Sequence, residues 1–338
     1  MDIHNEPVQD ETSHIHNLLE SLSTVPHKPA YYRREPYFRE AWSELQGVYG
    51  REAEMFALRH ALVILKPDAI VARKIEQCAS LLAEAGFTPC ATRSFWFDRN
   101  MVRALWLYKL NAATLGRLRV LDLLQLAAPS LFILLRDEES VANRPASVRL
   151  TALKGRGASQ RNGHSNLRRR LGAKGRILSF IHSADEPADL VREMAIIFGR
   201  SERKQIFRDV RVGRSAVSPG ACAECLYRTW PRHELHLDLA LSRMSGLATR
   251  SGYSQSAYVD ELVSICEGNV PQTSTVWLRF LQLVEFLDLK PGIWDLITVG
   301  AHFADESQQG DQPVLGDVSC EAWDSRYASD GAAAQRII

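Results

Sequence analysis

Five side chains in this 338-residue sequence have the types and order that phosphate chemistry uses: Lys66, Arg149, Arg168, His182 and Glu193. A neutral imidazole is a competent nucleophile toward phosphorus when its second ring nitrogen is held by an acceptor. Glu193 follows His182 by eleven residues, about two turns into a helix, so its carboxylate can reach back and fix the tautomer. Between Lys154 and Arg176 stand eight basic residues and no acidic one: Lys154, Arg156, Arg161, Arg168, Arg169, Arg170, Lys174 and Arg176. A polyanion needs such converging donors, and guanidinium forks match phosphate oxygens in pairs. Taken singly, a histidine at a strand end is more often structural. A basic loop is more often a solvated insert or a nucleic-acid patch.

The elements that must position these groups are legible in outline. Ile177 to Ile181 reads as a buried strand ending on His182. A polar turn follows, with Asp185 placed to cap a helix that carries Leu190, Met194, Ile197 and Phe198 near the 3.6 period. Upstream, Ala61 to Leu65 reads as a strand buried on both faces and running into Lys66-Pro67-Asp68. A helix is expected from about Ile70 to Ala85, stopped by Gly86. Phe87 to Phe97 is a second strand, Arg99 to Leu126 a helix pair broken near Asn111, and Ser130 to Leu135 a third strand. Val148 to Leu171 reads as a loop-rich insert before the fourth strand, Arg176 to Ile181. This order predicts an α+β fold, a ferredoxin-like split βαβ antiparallel sheet with helices on one face, and an α-helical C-terminal extension.

Residues 1–57 read as an N-terminal extension, 58–200 as the sheet domain, 201–303 as a helical module and 304–338 as a tail, partly disordered. The aromatic and basic stretch Tyr31 to Phe38 suits docking of the extension onto the core better than clamping a ligand. Three helices are expected at Ala221 to Leu247, Gln255 to Glu267 and Ser274 to Leu287. Cys222, Cys225, His233 and His236 are zinc-ligand types, but they fall inside the first of these and their spacing is short for a finger. A packed helix is the better reading. With 46% hydrophobic and 24% charged residues and a net charge of +1, the composition gives no global case for nucleic acid or membrane. No apolar run is long enough to span a bilayer. The acidic, polar start and six scattered cysteines predict a reducing cytoplasm.

Two blocks, LVILKPDAI (62–70) and ILSFIHSADEPADLVREMAIIF (177–198), resemble the opening strand and active-site segment of nucleoside diphosphate kinases. The resemblance covers about residues 60–200. It implies that His182 is the phosphorylated histidine and Glu193 its orienting partner. It also implies that Lys66, Arg149, Arg168 and Asp185 serve phosphate or nucleotide, with Trp106 or Tyr108 a candidate to stack on the base. A nucleoside triphosphate carried with Mg²⁺ would be the donor, and a nucleoside diphosphate or related phosphorylated acceptor would receive the group. The family's habit makes a homo-oligomer a candidate, and the C-terminal helices could engage a protein partner. The sequence departs at Ser179, Ser183 and Ala184, at Arg169-Arg170 after the loop arginine, and in lacking a clear Tyr and Arg-Pro-Phe pattern for the base. These departures motivate a second reading, a catalytically altered nucleotide-binding regulatory module. Nucleic-acid binding through the basic loop ranks below both.

Overall fold

The computed structural model describes residues 8–138, 144–155, 166–252, 256–305 and 311–334. Four helices precede the sheet: α1 (Val8–Ser21), α2 (Lys28–Tyr32), α3 (Pro36–Tyr49) and α4 (Ala53–Arg59). The sheet region then runs β1 (His60–Leu65), α5 (Pro67–Val71), α6 (Ile75–Glu84), β2 (Phe87–Phe95), α7 (Arg99–Leu105), α8 (Leu107–Leu110), α9 (Leu115–Ala127) and β3 (Ser130–Asp137). It continues through α10 (Ala146–Lys154), α11 (Leu167–Leu171), β4 (Ile181–Ser183) and α12 (Pro187–Ile197). Seven helices follow: α13 (Arg200–Arg211), α14 (Pro219–Thr229), α15 (Leu237–Thr249), α16 (Ala257–Cys266), α17 (Ser274–Phe286), α18 (Ile293–Phe303) and α19 (Cys320–Ala334).

The strands pair antiparallel in the order β2-β3-β1-β4, the split βαβ arrangement. β1 is central, and all six of its residues are buried. Successive side chains point to opposite faces, and here both faces are covered. Ala61, Val63 and Leu65 pack with Ile75 and Cys78 of α6, Val120 and Leu124 of α9, and Trp277 of α17. Leu62 and Ile64 pack with Phe38 and Leu45 of α3, Phe56 of α4, and Leu190 and Met194 of α12. The expectation of helices on one face is therefore corrected, because the N-terminal extension supplies part of a second layer. On the first face α17 and α18 reach α9 closely. A Cβ at Gly300 would stand 2.6 Å from the Trp277 ring and 2.7 Å from Val120.

Other boundaries moved for identifiable reasons. The helix expected from Ile70 to Ala85 is two, α5 and α6, because Arg73 adopts φ 59° between them. α10 replaces the first part of the expected loop. Its Val148 packs in one layer and its Leu150 in the other, so it shows no one-sided apolar stripe. Arg156 and Arg161 lie outside the described residues. The run Ile177 to Phe180 is apolar because it is buried, not because it pairs; strand β4 starts only at Ile181. The expected helix Ala221 to Leu247 breaks into α14 and α15, leaving Cys222 and Cys225 on α14 and His233 and His236 in or at the end of the loop after it. Helices α13, α18 and α19 were not foreseen. α19 lies in the stretch read as a partly disordered tail.

Candidate active site

The Lys-Pro-Asp corner holds the segment that delivers the histidine. The Lys66 amide donates to Phe180 O at 2.8 Å, and Lys66 Nζ donates to Ile177 O at 2.6 Å. The Asp68 carboxylate accepts from the Phe180 amide at 2.9 Å. These bonds hold Phe180 at φ 63°, a left-handed conformation that a bulky side chain rarely adopts. After this bend the chain enters β4, where His182 pairs with Ile64 and so shares its face, the one that α12 covers. Glu193 projects from α12 and meets the imidazole, Nε2 to Oε2 at 2.9 Å. An ionised carboxylate only accepts, so Nε2 carries the hydrogen and Nδ1 keeps its lone pair. The Trp106 ring system and the imidazole meet edge to face, with centroids 5.4 Å apart.

His182 opens into a cavity of about 320 Å³ lined by cations on several elements. Arg168 donates to Gly155 O at 3.1 Å and Ile181 O at 3.0 Å. Its Nε is buried without a partner. Asp185 does not cap α12. Glu186 and Asp189 form the capping box there, which frees Asp185 to face the cavity. Asp185 accepts from Lys154 Nζ at 2.8 Å and Thr151 Oγ1 at 3.2 Å, with Lys109 Nζ 3.8 Å away. Burial pushes the Asp185 carboxyl up, but Lys154 and Lys109 overcome this and hold it well below its ordinary value. Burial lowers Lys66, Lys154 and Arg168 alike.

Arg149 does not join this group. It lies on α10 two residues before Thr151, about 200° around the helix. It donates to Ala85 O at 2.7 Å, pairs with Asp137 at 3.1 Å and stacks on Phe87. Lys154 occupies the cationic place by the cavity instead. Lys66 lines a second, adjoining cavity of about 260 Å³ that shares His182, Trp106 and Arg168 with the first. Tyr108 lines the first cavity beside Tyr31 and Tyr32, with centroids 5.2 Å and 5.8 Å away. Burial and the nearby Glu35 push its hydroxyl up to about 12.

The extensions complete the walls. Glu186 is fully buried and accepts from Ser23 Oγ at 2.5 Å, the Thr24 amide at 2.7 Å, Lys28 Nζ at 2.7 Å and Trp323 Nε1 at 3.0 Å. Lys28 also bonds Asp189 at 2.8 Å, and Tyr32 donates to the other oxygen of that carboxylate. Burial alone would lower Lys28, but Asp189 and Glu186 hold it above its usual range. Residues 315–318 line the same cavity, with Asp317 bonded to Lys109 at 2.9 Å. Lys28, Asp317 and Trp323 lie far from the two blocks in sequence, and no local spacing marks them.

The site is thus an imidazole presented by an antiparallel split βαβ sheet of an α+β fold beneath a basic cavity. Residues 59–203 match the family described as nucleoside diphosphate kinase. The match supports nucleotide phosphotransfer in general. Similar solved structures include the nucleoside diphosphate kinase of Aquifex aeolicus, with 18% identity over 42% of this chain and 95% of that one, TM-score 0.34. A transition-state mimic of the Borrelia burgdorferi enzyme with bound vanadate and ADP is 19% identical over 43% and 89%, TM-score 0.36. The Pyrobaculum aerophilum enzyme is 15% identical over 43% and 97%, TM-score 0.33. No curated protein matches the chain. Among the described residues no helix is long and apolar enough to cross a membrane.

Proposed function

We propose that this chain is a phosphotransferase that passes the γ-phosphate of a nucleoside triphosphate through His182 to a nucleoside diphosphate or related phosphorylated acceptor. The observation that carries this reading is the 2.9 Å bond from Nε2 to Glu193, which leaves Nδ1 as the nucleophile facing a cationic cavity. Nδ1 attacks the γ-phosphorus and the diphosphate leaves. An acceptor oxygen then displaces the nitrogen in the reverse sense. Arg168 and Lys154 stabilise the equatorial oxygens, and positioning with charge stabilisation supplies most of the rate. Lys66 buttresses the His182 segment through Ile177 O and contributes positive charge from beneath. Asp185 sets the position of the Lys154 ammonium, and Tyr108 forms an aromatic wall for the nucleotide. The family match over residues 59–203 supports reading 58–200 as the catalytic domain and the flanking helices as extensions.

Mg²⁺ fits as a companion of the nucleotide. Among the described residues no group of three or more metal-ligating side chains occurs, and the cavity carboxylates Asp185 and Asp317 are bonded to lysines. The ion's ligands would be phosphate oxygens and water, with Asp185 the nearby carboxylate, and it would neutralise phosphate charge.

Brief incubation with γ-labelled ATP and Mg²⁺ should leave acid-labile, base-stable label on the wild type and none on a folded His182→Ala variant. Label retained by the variant would sink the mechanism. A second reading, a nucleotide-binding regulatory module, is favoured by the internal bonds that already engage Lys66, Lys154 and Asp185. It predicts nucleotide binding without label.

A further inference from the structure

A third cavity, of about 320 Å³, lies between α3 and α13 and shares no lining residue with the two at His182. Arg200, Lys204, Arg208 and Arg211 recur at helical spacing along α13 and line it. Among the described residues, Lys204 and Arg208 have no side-chain hydrogen bond or ion pair. Arg211 rests over the Tyr49 ring at 5.8 Å. Glu44 is the carboxylate in the lining, and Arg203 already holds it through bonds of 2.6 Å and 2.8 Å, with Arg200 3.6 Å away. The acids of α13 itself are engaged elsewhere, Glu202 3.9 Å from Arg93 and Asp209 2.8 Å from Arg214. The groove therefore presents positive charge without a counterion. Its other wall is Gly47 and Val48. Gly47 sits in the last turn of α3 outside the left-handed region, and a Cβ there would meet nothing within 4 Å. Neither packing nor backbone geometry calls for a glycine, which weakens a helix relative to alanine. The missing side chain leaves an open floor, continued by Val48 and by Val212, which is 71% exposed.

We propose that this groove is a separate binding site for a nucleoside polyphosphate, with the phosphates along Lys204 and Arg208 and the base on the floor of Gly47, Val48 and Val212. Lys204 and Arg208 stand one helical turn apart, about 6 Å along the axis, a span that one di- or triphosphate chain covers. Phosphate oxygens accept from the Arg208 fork in pairs and from the Lys204 ammonium as from a point charge. A neutral ligand would leave both cations unmatched, and a simple carboxylate would leave the apolar floor bare. The volume equals that of the first His182 cavity and falls within the range of small-molecule sites. No histidine or cysteine lines the groove among the described residues, so the site binds its nucleotide and transfers nothing from it.

Equilibrium dialysis of the full chain against labelled ATP counts the sites. A Lys204→Gln/Arg208→Gln double variant should bind one ATP fewer per chain than wild type, while His182 still takes up label from ATP. Gly47→Leu fills the floor from the other helix and should also lose one ATP. Because leucine suits a helix better than glycine, its thermal unfolding midpoint should be no lower than that of wild type, which separates a blocked groove from a damaged fold. Tripolyphosphate, which has the phosphates without the base, should displace the ATP of this site at least tenfold less well than ADP does. An unchanged count in either variant overturns the proposal. Tripolyphosphate as effective as ADP would make the groove a plain polyanion site and overturn it too. So would a single-stranded oligonucleotide that binds the α13 cations more tightly than ATP. The comparison is of wild type with variants, so a chain whose His182 takes up no label would lose the phosphohistidine reading and still return the count for the groove.

Discussion

At Nε2 of His182 the proton is committed to Glu193, and this one hydrogen decides which nitrogen can attack. A glutamine at position 193 could present either its oxygen or its NH₂ to the ring. The imidazole would then be free to adopt the wrong tautomer. Glu193→Gln should therefore lower the rate of His182 labelling by about 10²-fold or more while leaving ATP affinity within a few-fold. A rate within a factor of three of wild type would show that the carboxylate does not orient the ring. The pair was legible in the sequence because histidine and glutamate sit on adjacent elements at a fixed interval. Arg149 was misplaced because a helix hid within the stretch read as a loop, and a residue's side of a helix cannot be known before the helix is. Lys154 was visible only as one more charge in a basic run.

At the scale of elements, much depends on how α4 feeds β1. His60 opens the strand with its ring stacked on Phe56 at 4.1 Å and its Nδ1 2.8 Å from Phe56 O, while Nε2 is buried without a partner. Burial lowers its pKa to about 4. The unfolded chain therefore takes up this proton first as the pH falls. The associated stability is complete above about pH 6.5 and is lost on the way down to about 4. Between pH 7 and 4.5 His60 should cost the native state about 2–3 kcal/mol. Urea midpoints for wild type and His60→Leu would expose this as a shallower acid slope in the variant. Equal slopes would refute it. The strand order, and the helices that follow β1 and β4, were readable from apolar runs and punctuation. The exact start of β4 was not, since Ile177 to Phe180 is as apolar as a strand. Its backbone is held instead by Lys66 and Asp68, a tertiary effect that no window of sequence contains.

Across the whole molecule, the cavity walls come from opposite regions of the chain. Lys28 stands between two buried carboxylates, and removing it would leave Glu186 and Asp189 without their ammonium. Lys28→Met should cost about 3–5 kcal/mol in chemical denaturation, and a loss below 1 kcal/mol would mean that the remaining donors suffice. The C-terminal helices share an apolar layer with the sheet through α9, so they bear on the cavity through Arg117 and Gln125 as well as by stacking on the fold. The docking of Tyr31 to Phe38 onto the core was legible in its aromatic composition, but the bonds that build the walls were not. The bonds of Glu186 to residues 23, 24, 28 and 323 pair positions with no common pattern.

That construction also sets an order of events. Lys28 and Asp189 are 161 positions apart, Glu186 and Trp323 are 137 apart, and Arg326 reaches Ser23 across 303. Contacts of such high contact order must close long loops before they return any energy, and they slow folding. The bridge from Arg326 to Ser23 spans more than twice the separation of the β1–β4 pairs, so this wall can close after the sheet and its imidazole are in place. In a refolding trace the recovery of far-UV ellipticity should precede the recovery of nucleotide binding, and simultaneous recovery would show that the walls form with the sheet.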